Sequence, residues 1–318
     1  MSAAKVDLGR RLFYDTRLSG NQTYACASCH QQARAFTDGL DRAVGSTGGR
    51  HARGTMTLAN VAYNATFGWA NDTVRSLEDQ MAGPMFNEHP IEMGMAGRDG
   101  VILARFDTAA DRARFQAAFP DTTTPVSLGH IVKAIACFER TLIAGNTPLD
   151  RYLYRDDRTA LTAAAQRGMK LFFSERLRCS ECHAGFNLSG ATTFEGGDAP
   201  DVAFHNVGLY NNDGLGAYPA IDQGLFSISH RPADMGRFRA PTLRNVAVTA
   251  PYMHDGSLPT LDAVLDHYSR GGVDGPLKSD RIKGFTLDDG ERRDVLAFLG
   301  GLTDEGFLTK PEFGPPRN

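Results

Sequence analysis

Two stretches of the chain set apolar side chains at helical spacing behind a capping residue. In the first, Leu128, Ile131, Ile135, Phe138 and Leu142 follow Ser127, whose hydroxyl can accept from a free backbone N–H of the first turn. In the second, Val295, Phe298, Leu299 and Leu302 follow Asp288-x-x-Glu291, a capping-box pattern. Each has a matched partner far upstream. Gly9-x-x-Leu12-Phe13 leads into Arg17-Leu18, and Gly168-x-x-Leu171-Phe172 leads into Arg176-Leu177. Glycine at 9 and 168 allows another helix to cross closely, because no Cβ stands in the way. Few segments alternate cleanly enough to be strands, and Gly196-Gly-Asp-Ala-Pro200 and Asn211-Asn-Asp-Gly214 read as loops. The pattern predicts a mainly α protein with long loops, little β and an internal repeat. The turn-rich Gly145-Asn-Thr-Pro148 divides it into domains at 1–147 and 148–318.

Inside each repeat lies Cys-x-x-Cys-His: Cys26-Ala-Ser-Cys29-His30 and Cys179-Ser-Glu-Cys182-His183. Two thiols at this spacing add to the two vinyl groups of one haem, and the adjacent histidine reaches the iron. The competing readings are a zinc site, which needs four protein ligands, and a redox dithiol. A histidine immediately after both pairs favours two covalently bound c-type haems. An opening helix, a haem motif, a loop-rich middle and a closing helix outline a cytochrome c-like domain, here twice. Leu12, Phe13, Leu171 and Phe172 then sit where an opening helix faces a haem edge. The fifth cysteine, Cys137, lies on the apolar side of a predicted helix and reads as core packing.

Composition narrows the function further. With 318 residues, 42 % hydrophobic, 22 % charged and a formal net charge of -3, the chain has neither a basic tail nor a dense Lys/Arg run. It does not read as a nucleic-acid binder. No apolar stretch approaches the length of a membrane-spanning helix. Haem attachment at these motifs is export-side chemistry in bacteria, so a periplasmic protein is expected, with the signal peptide inferred to have been removed.

Four blocks of residues resemble the bacterial di-haem cytochrome c peroxidase and MauG superfamily over nearly the whole chain. They are the two haem motifs; Ser76-Leu-Glu-Asp-Gln80 with Ile91-Glu-Met-Gly94; Arg239-Ala-Pro-Thr-Leu-Arg-Asn-Val246; and Thr249-Ala-Pro-Tyr-Met-His-Asp-Gly256. Within the superfamily, the stretches from Ser227 to Gly256 and from Pro276 to Phe285 are most similar to the MbnH di-haem enzymes. The resemblance implies a haem-dependent oxidoreductase that acts with hydrogen peroxide. It implies a peroxide-reactive haem on His30 with Gln80 and Glu92 over its open face, Glu92 serving as acid and base, and Pro84 filling the space of a sixth ligand. It implies Trp69 between the haems as an electron relay, although a lone tryptophan is by default a core residue. It also implies a calcium ion on Asn60, Thr249 and Pro251.

The resemblance places Tyr268 opposite His183 on the second haem, where peroxidases of the family carry methionine. A thioether is soft and favours reduced iron, whereas a phenolate is hard and favours oxidised iron. Tyr268 therefore implies MauG-like chemistry: a bis-Fe(IV) state that oxidises a residue of a partner protein. For an MbnH-like enzyme this is conversion of tryptophan to kynurenine in an MbnP-like copper-binding protein. Met253 and His267 are rivals for that axial position. The alternative function is a peroxidase fed by a small cytochrome or cupredoxin, and a purely electron-carrying di-haem protein is the non-enzymatic rival. His51 is a further candidate, as a resting ligand of the N-terminal haem.

Overall fold

The computed structural model describes residues 1–197 and 202–317. Residues 198–200 of the predicted Gly196–Pro200 loop lie outside them. Asn211–Gly214 forms a turn, in which Asp213 Oδ1 accepts from the N–H groups of Leu215 at 2.8 Å and Ala217 at 3.0 Å.

The two predicted helix pairs form. Ala3–Phe13 packs across Leu128–Glu139, and Ala163–Phe172 packs across Asp289–Gly300. The crossings are set by the two glycines. A Cβ on Gly9 would stand 1.8 Å from the Ala134 carbonyl oxygen, and one on Gly168 would stand 1.9 Å from that of Asp294. Ser127 caps its helix by accepting from the His130 N–H, and Asp288 and Glu291 form the reciprocal capping box. Both helices stop earlier than the apolar pattern suggests, at Glu139 and Gly300. Leu142 and Leu302 lie just beyond these ends yet are fully buried. Their N–H groups bond to the carbonyls three residues back, Glu139 and Leu299, so a tightened last turn keeps each leucine facing inward.

Among the described residues the only sheet is a two-residue antiparallel pair, Phe204–His205 with Phe238–Arg239, in the register Phe204 to Arg239. Two large apolar cores follow the repeat. One runs from Leu8 to Ala144, with Cys137 buried beside it on the same helix; the other runs from Leu149 to Leu302. A small third cluster of Ala70, Phe204, Tyr218, Leu225 and Phe238 has Trp69 packed against it.

The end of the chain departs from the simple division into halves. Phe307 and Phe313 belong to the first core. Arg10 Nε donates to the Gly314 carbonyl at 2.7 Å, and the Tyr14 hydroxyl donates to that of Phe313 at 2.7 Å. The loop that follows the short sheet is anchored by a buried ion pair, in which the Arg244 guanidinium donates to both carboxylate oxygens of Asp150 at 2.7 and 2.8 Å. Burial opposes ionisation of Asp150, but the two Arg244 hydrogen bonds outweigh it and hold the carboxyl below its usual range.

Candidate functional site: two haem motifs and the cavity between them

Cys26–Cys29 is a single helical turn that ends on His30. The chain then doubles back through two residues with positive φ, Ala35 and Phe36, which brings the Phe36 carbonyl to 2.8 Å from His30 Nδ1. The second motif repeats the device. Leu188 has positive φ, and its carbonyl lies 3.0 Å from His183 Nδ1. Donation from Nδ1–H leaves Nε2 with its lone pair free, the tautomer a metal-ligating histidine needs. Burial lowers both imidazole pKa values, that of His183 to about 4, so both rings are neutral and able to ligate.

The thiol environments do not favour a reactive redox dithiol. Burial pushes Cys29 and Cys179 up to about 12, and Cys26 is raised as well. A reactive dithiol is shifted the other way. Among the described residues no group of three or more His, Cys, Asp and Glu side chains gathers as a metal site.

A cavity with an empty volume of about 1900 Å³, mouth included, opens beside the second motif. Cys179, Cys182 and His183 line it together with Tyr268, and Phe172, Leu265 and Leu299 supply apolar wall. Tyr268 comes from the helix Leu261–Ser269. Burial pushes its phenol well above the usual range, and its hydroxyl makes no hydrogen bond among the described residues. His267 turns the other way, with Nε2 2.9 Å from the Val207 carbonyl, and does not line the cavity. Met253 does line it.

Arg239 lines the same cavity and is 3 % exposed. Its side chain reaches only the Gly68 carbonyl and the Met56 sulfur among the described residues. A buried guanidinium without a carboxylate partner suits an anion such as a haem propionate. The residues present therefore fit a covalently held haem: two thiols, a pre-oriented imidazole, an unpartnered phenol, apolar walls and a buried cation.

The cavity extends toward the first motif. Residues 37–40, which follow His30 in the chain, form part of its wall, and so does Trp69. The Trp69 indole N–H donates to the Gly54 carbonyl at 2.8 Å, and its own carbonyl accepts from the Arg239 N–H at 2.8 Å. The ring is thus fixed between the loop of one half and the short sheet of the other.

Glu92 lies near the first motif, where its charge and that of Asp38 add to the burial that raises the Cys29 thiol. Burial also raises the Glu92 carboxyl. Its nearest basic partner is His51, with Nε2 3.8 Å from Glu92 Oε1. His51 Nδ1 accepts from the Arg53 N–H at 3.2 Å, so Nε2 carries the proton and is turned toward Glu92. Gln80 ends the short helix Leu77–Gln80, and Pro84 lies in Ala82–Phe86. The Pro84 carbonyl accepts from the Met93 N–H at 2.9 Å, which ties that turn to the Glu92 segment.

Asn60 is buried and uses one lone pair of its amide oxygen within the protein. Its Oδ1 accepts from the Ala144 N–H at 2.8 Å, and its Nδ2 donates to Ala144 and Asn187. The carbonyls of Thr249 and Pro251 accept no hydrogen bond among the described residues, and both residues line the cavity. These neutral oxygens suit a hard cation. The roles of the Phe36 and Leu188 carbonyls carry no sequence signal. Each depends on a left-handed turn adopted by ordinary L-residues.

These features fit a two-haem protein of c type. Its relatives agree. The profile of the family described as di-haem cytochrome c peroxidase matches residues 3–158, and a profile described as RoxA-like, cytochrome c-like matches residues 237–273. The chain is 34% identical to the methylamine utilization protein MauG of Methylorubrum extorquens, over 98% of this chain and 82% of that protein. It is 33% identical to the cytochrome c551 peroxidase of Pseudomonas aeruginosa, over 83% of this chain and 71% of that one. A crystal structure described as a MauG-like protein associated with microbial copper homeostasis superposes with a TM-score of 0.96 at 45% identity, covering 99% of this chain and 94% of the other. The chain belongs to the di-haem cytochrome c peroxidase and MauG family: a haem-dependent, peroxide-using oxidoreductase with two c-type haems. Among the described residues no helix is long and apolar enough to cross a membrane.

Proposed function

We propose that this protein is a MauG-like oxidase that uses hydrogen peroxide to oxidise a residue of a partner protein, the favoured reaction being tryptophan to kynurenine in an MbnP-like copper-binding protein. One observation carries the reading: the Tyr268 phenol shares a cavity with His183 and has no hydrogen-bond partner among the described residues. A phenolate ligand there favours storage of oxidising power over delivery of electrons. The likeness to a MauG-like protein associated with copper homeostasis supports the same choice.

When bound, the haem on His30 supplies the iron that takes peroxide, and the haem on His183 supplies a second redox centre. The protein's part is placement and proton handling. Glu92, raised by burial, takes a proton from peroxide and returns it to the leaving oxygen. Gln80 would orient peroxide, and Pro84 would fill space over the open face of the haem on His30. Trp69 spans the gap between the two motifs, so an electron need not cross it in one step. Asn60, Thr249 and Pro251 hold a calcium ion that braces this region. The two cytochrome c-like domains meet near residues 145–148, and the protein works in the periplasm, where such haems are attached.

Adding one equivalent of peroxide and recording Mössbauer and near-infrared spectra tests the reading. Both irons should change together, and a change at one iron alone defeats it. Trp69→Phe should slow oxidation of the partner by about tenfold or more, equivalent to roughly 1.4 kcal/mol in the barrier. Undiminished oxidation removes Trp69 from the route. Chelating calcium should depress partner oxidation reversibly, with recovery on adding calcium back, and an unchanged rate in metal-free buffer argues against the ion.

Met253 on the cavity wall favours a second reading: a peroxidase that draws electrons from a small cytochrome or cupredoxin through a thioether-ligated haem. Fast steady-state peroxide reduction with reduced cytochrome c as donor, abolished in Met253→Leu, is its signature.

A further inference from the structure

Three tyrosines run from the cavity toward the protein surface. Tyr268 lines the cavity. Tyr218 belongs to the small apolar cluster against which Trp69, a wall residue of the cavity, is packed. Tyr218 is 3 % exposed, and its ring is seated over Gly236, where a Cβ would fall 2.1 Å from it. Tyr218 also packs against Phe238, another wall residue of the cavity, at a centroid separation of 6.1 Å. Tyr210 follows, edge-on to Tyr218 at 5.5 Å and 83°, and is only partly buried.

The two outer phenols differ in what receives their protons. Oxidising a phenol by one electron makes it a strong acid, so the radical forms readily only where a base takes the proton. The Tyr218 hydroxyl donates to Asn206 Oδ1 at 2.9 Å, and an amide oxygen is a poor proton acceptor. The Tyr210 hydroxyl donates to Asp255 Oδ2 at 2.5 Å, and a carboxylate can accept. The other oxygen, Oδ1, accepts from the Ser257 N–H at 3.1 Å, and Arg42 faces the phenol. Tyr210 is thus built to give up an electron and a proton together, while Tyr218 is built to conduct.

We propose that Tyr210 and Asp255 form the outlet through which oxidising power leaves the cavity for a docked protein. This rests on the reading that the protein stores the oxidising equivalents of peroxide. One electron passes inward from Tyr210 by way of Tyr218, and the phenol proton moves to Asp255 Oδ2. A residue of the docked protein then supplies an electron to Tyr210, the proton returns from Asp255, and the phenol is restored. The docked residue is oxidised by one electron in each cycle.

The test uses the di-haem protein with one equivalent of peroxide and no partner, frozen at intervals for electron paramagnetic resonance. The wild type should show a tyrosyl signal that narrows when its tyrosines are ring-deuterated. Y210F should lose that signal, D255N should weaken it, and Y152F, a tyrosine remote from this row, should keep it. The near-infrared signature should form in all four proteins and decay several-fold more slowly in Y210F. Oxidation of a supplied partner protein should slow several-fold in the same variant. A wild type that forms the signature without a tyrosyl signal overturns the outlet, as does a Y210F variant with unchanged signal and decay. If the signature never forms in the wild type, the stored-oxidant reading fails and the outlet falls with it.

Discussion

Replacing Tyr268 with phenylalanine should leave a haem covalently held at Cys179 and Cys182 and yet abolish its capacity to share oxidising power. The ferric spectrum of that haem should change from six-coordinate to five-coordinate. The joint response of both irons to peroxide should disappear, and partner oxidation should fall by roughly a hundredfold or more, about 2.7 kcal/mol in the barrier. The fold itself should be indifferent. The phenol makes no hydrogen bond among the described residues, so removing its oxygen strands no partner. The ring keeps its volume, and apoprotein stability should stay within about 1 kcal/mol. That separation makes the result interpretable, because lost chemistry cannot then be blamed on lost structure. Tyr268→Met extends the comparison by supplying a thioether instead, and should move the protein toward steady-state peroxide reduction with an external donor. If Tyr268→Phe leaves both irons responding together, the phenol is not a ligand.

Gly168→Ala should be the most damaging small substitution in the second half. The new methyl would sit 1.9 Å from the Asp294 carbonyl oxygen and 2.4 Å from its carbonyl carbon. Both atoms belong to helical backbone and cannot swing aside, so the two helices must separate. Overpacking of this kind costs roughly 1–3 kcal/mol or more, and the higher helix propensity of alanine returns only about 1 kcal/mol. A net loss of up to about 2 kcal/mol is expected in denaturant titrations. The damage should also reach the site. Phe172 and Leu299 lie on these two helices and line the cavity, so separating the helices loosens the haem pocket. Gly9→Ala should act in the same way on the first half, where the clash with Ala134 is 1.8 Å. Gly129→Ala is the control. Nothing lies within 4 Å of its Cβ, and it should stabilise its helix slightly. If Gly168→Ala is as stable as the wild type, the crossing is not as close as described.

The correspondence between sequence and structure varies with the range of the interaction. Ser127 and Asp288 announce their helices because a cap involves only the next three residues. Gly9 and Gly168 were legible because they stand at equivalent places in two copies of one pattern. Helix ends were less so. Leu142 and Leu302 continue the apolar spacing past the last helical residue, since a tightened turn buries a leucine as well as a full helical turn does. The return of Phe307 and Phe313 to the first core had no local signal, because their partners lie near the opposite end of the chain.

The two Cys-x-x-Cys-His motifs, the mainly helical repeat and the family resemblance were all legible in the residue order, because these rest on residue identities at short, fixed spacings. Tyr268 could be named from the family resemblance, but only tertiary structure put it in one cavity with His183 while turning His267 to the Val207 carbonyl. Tertiary structure likewise decided which carbonyls orient the two histidines, how Glu92 meets His51, and how Tyr210 comes to rest on Asp255. Each of these is a meeting of residues distant in sequence or brought round by a left-handed turn of ordinary residues. Its geometry is set by how loops pack, for which one chain's residue order carries no periodic signal.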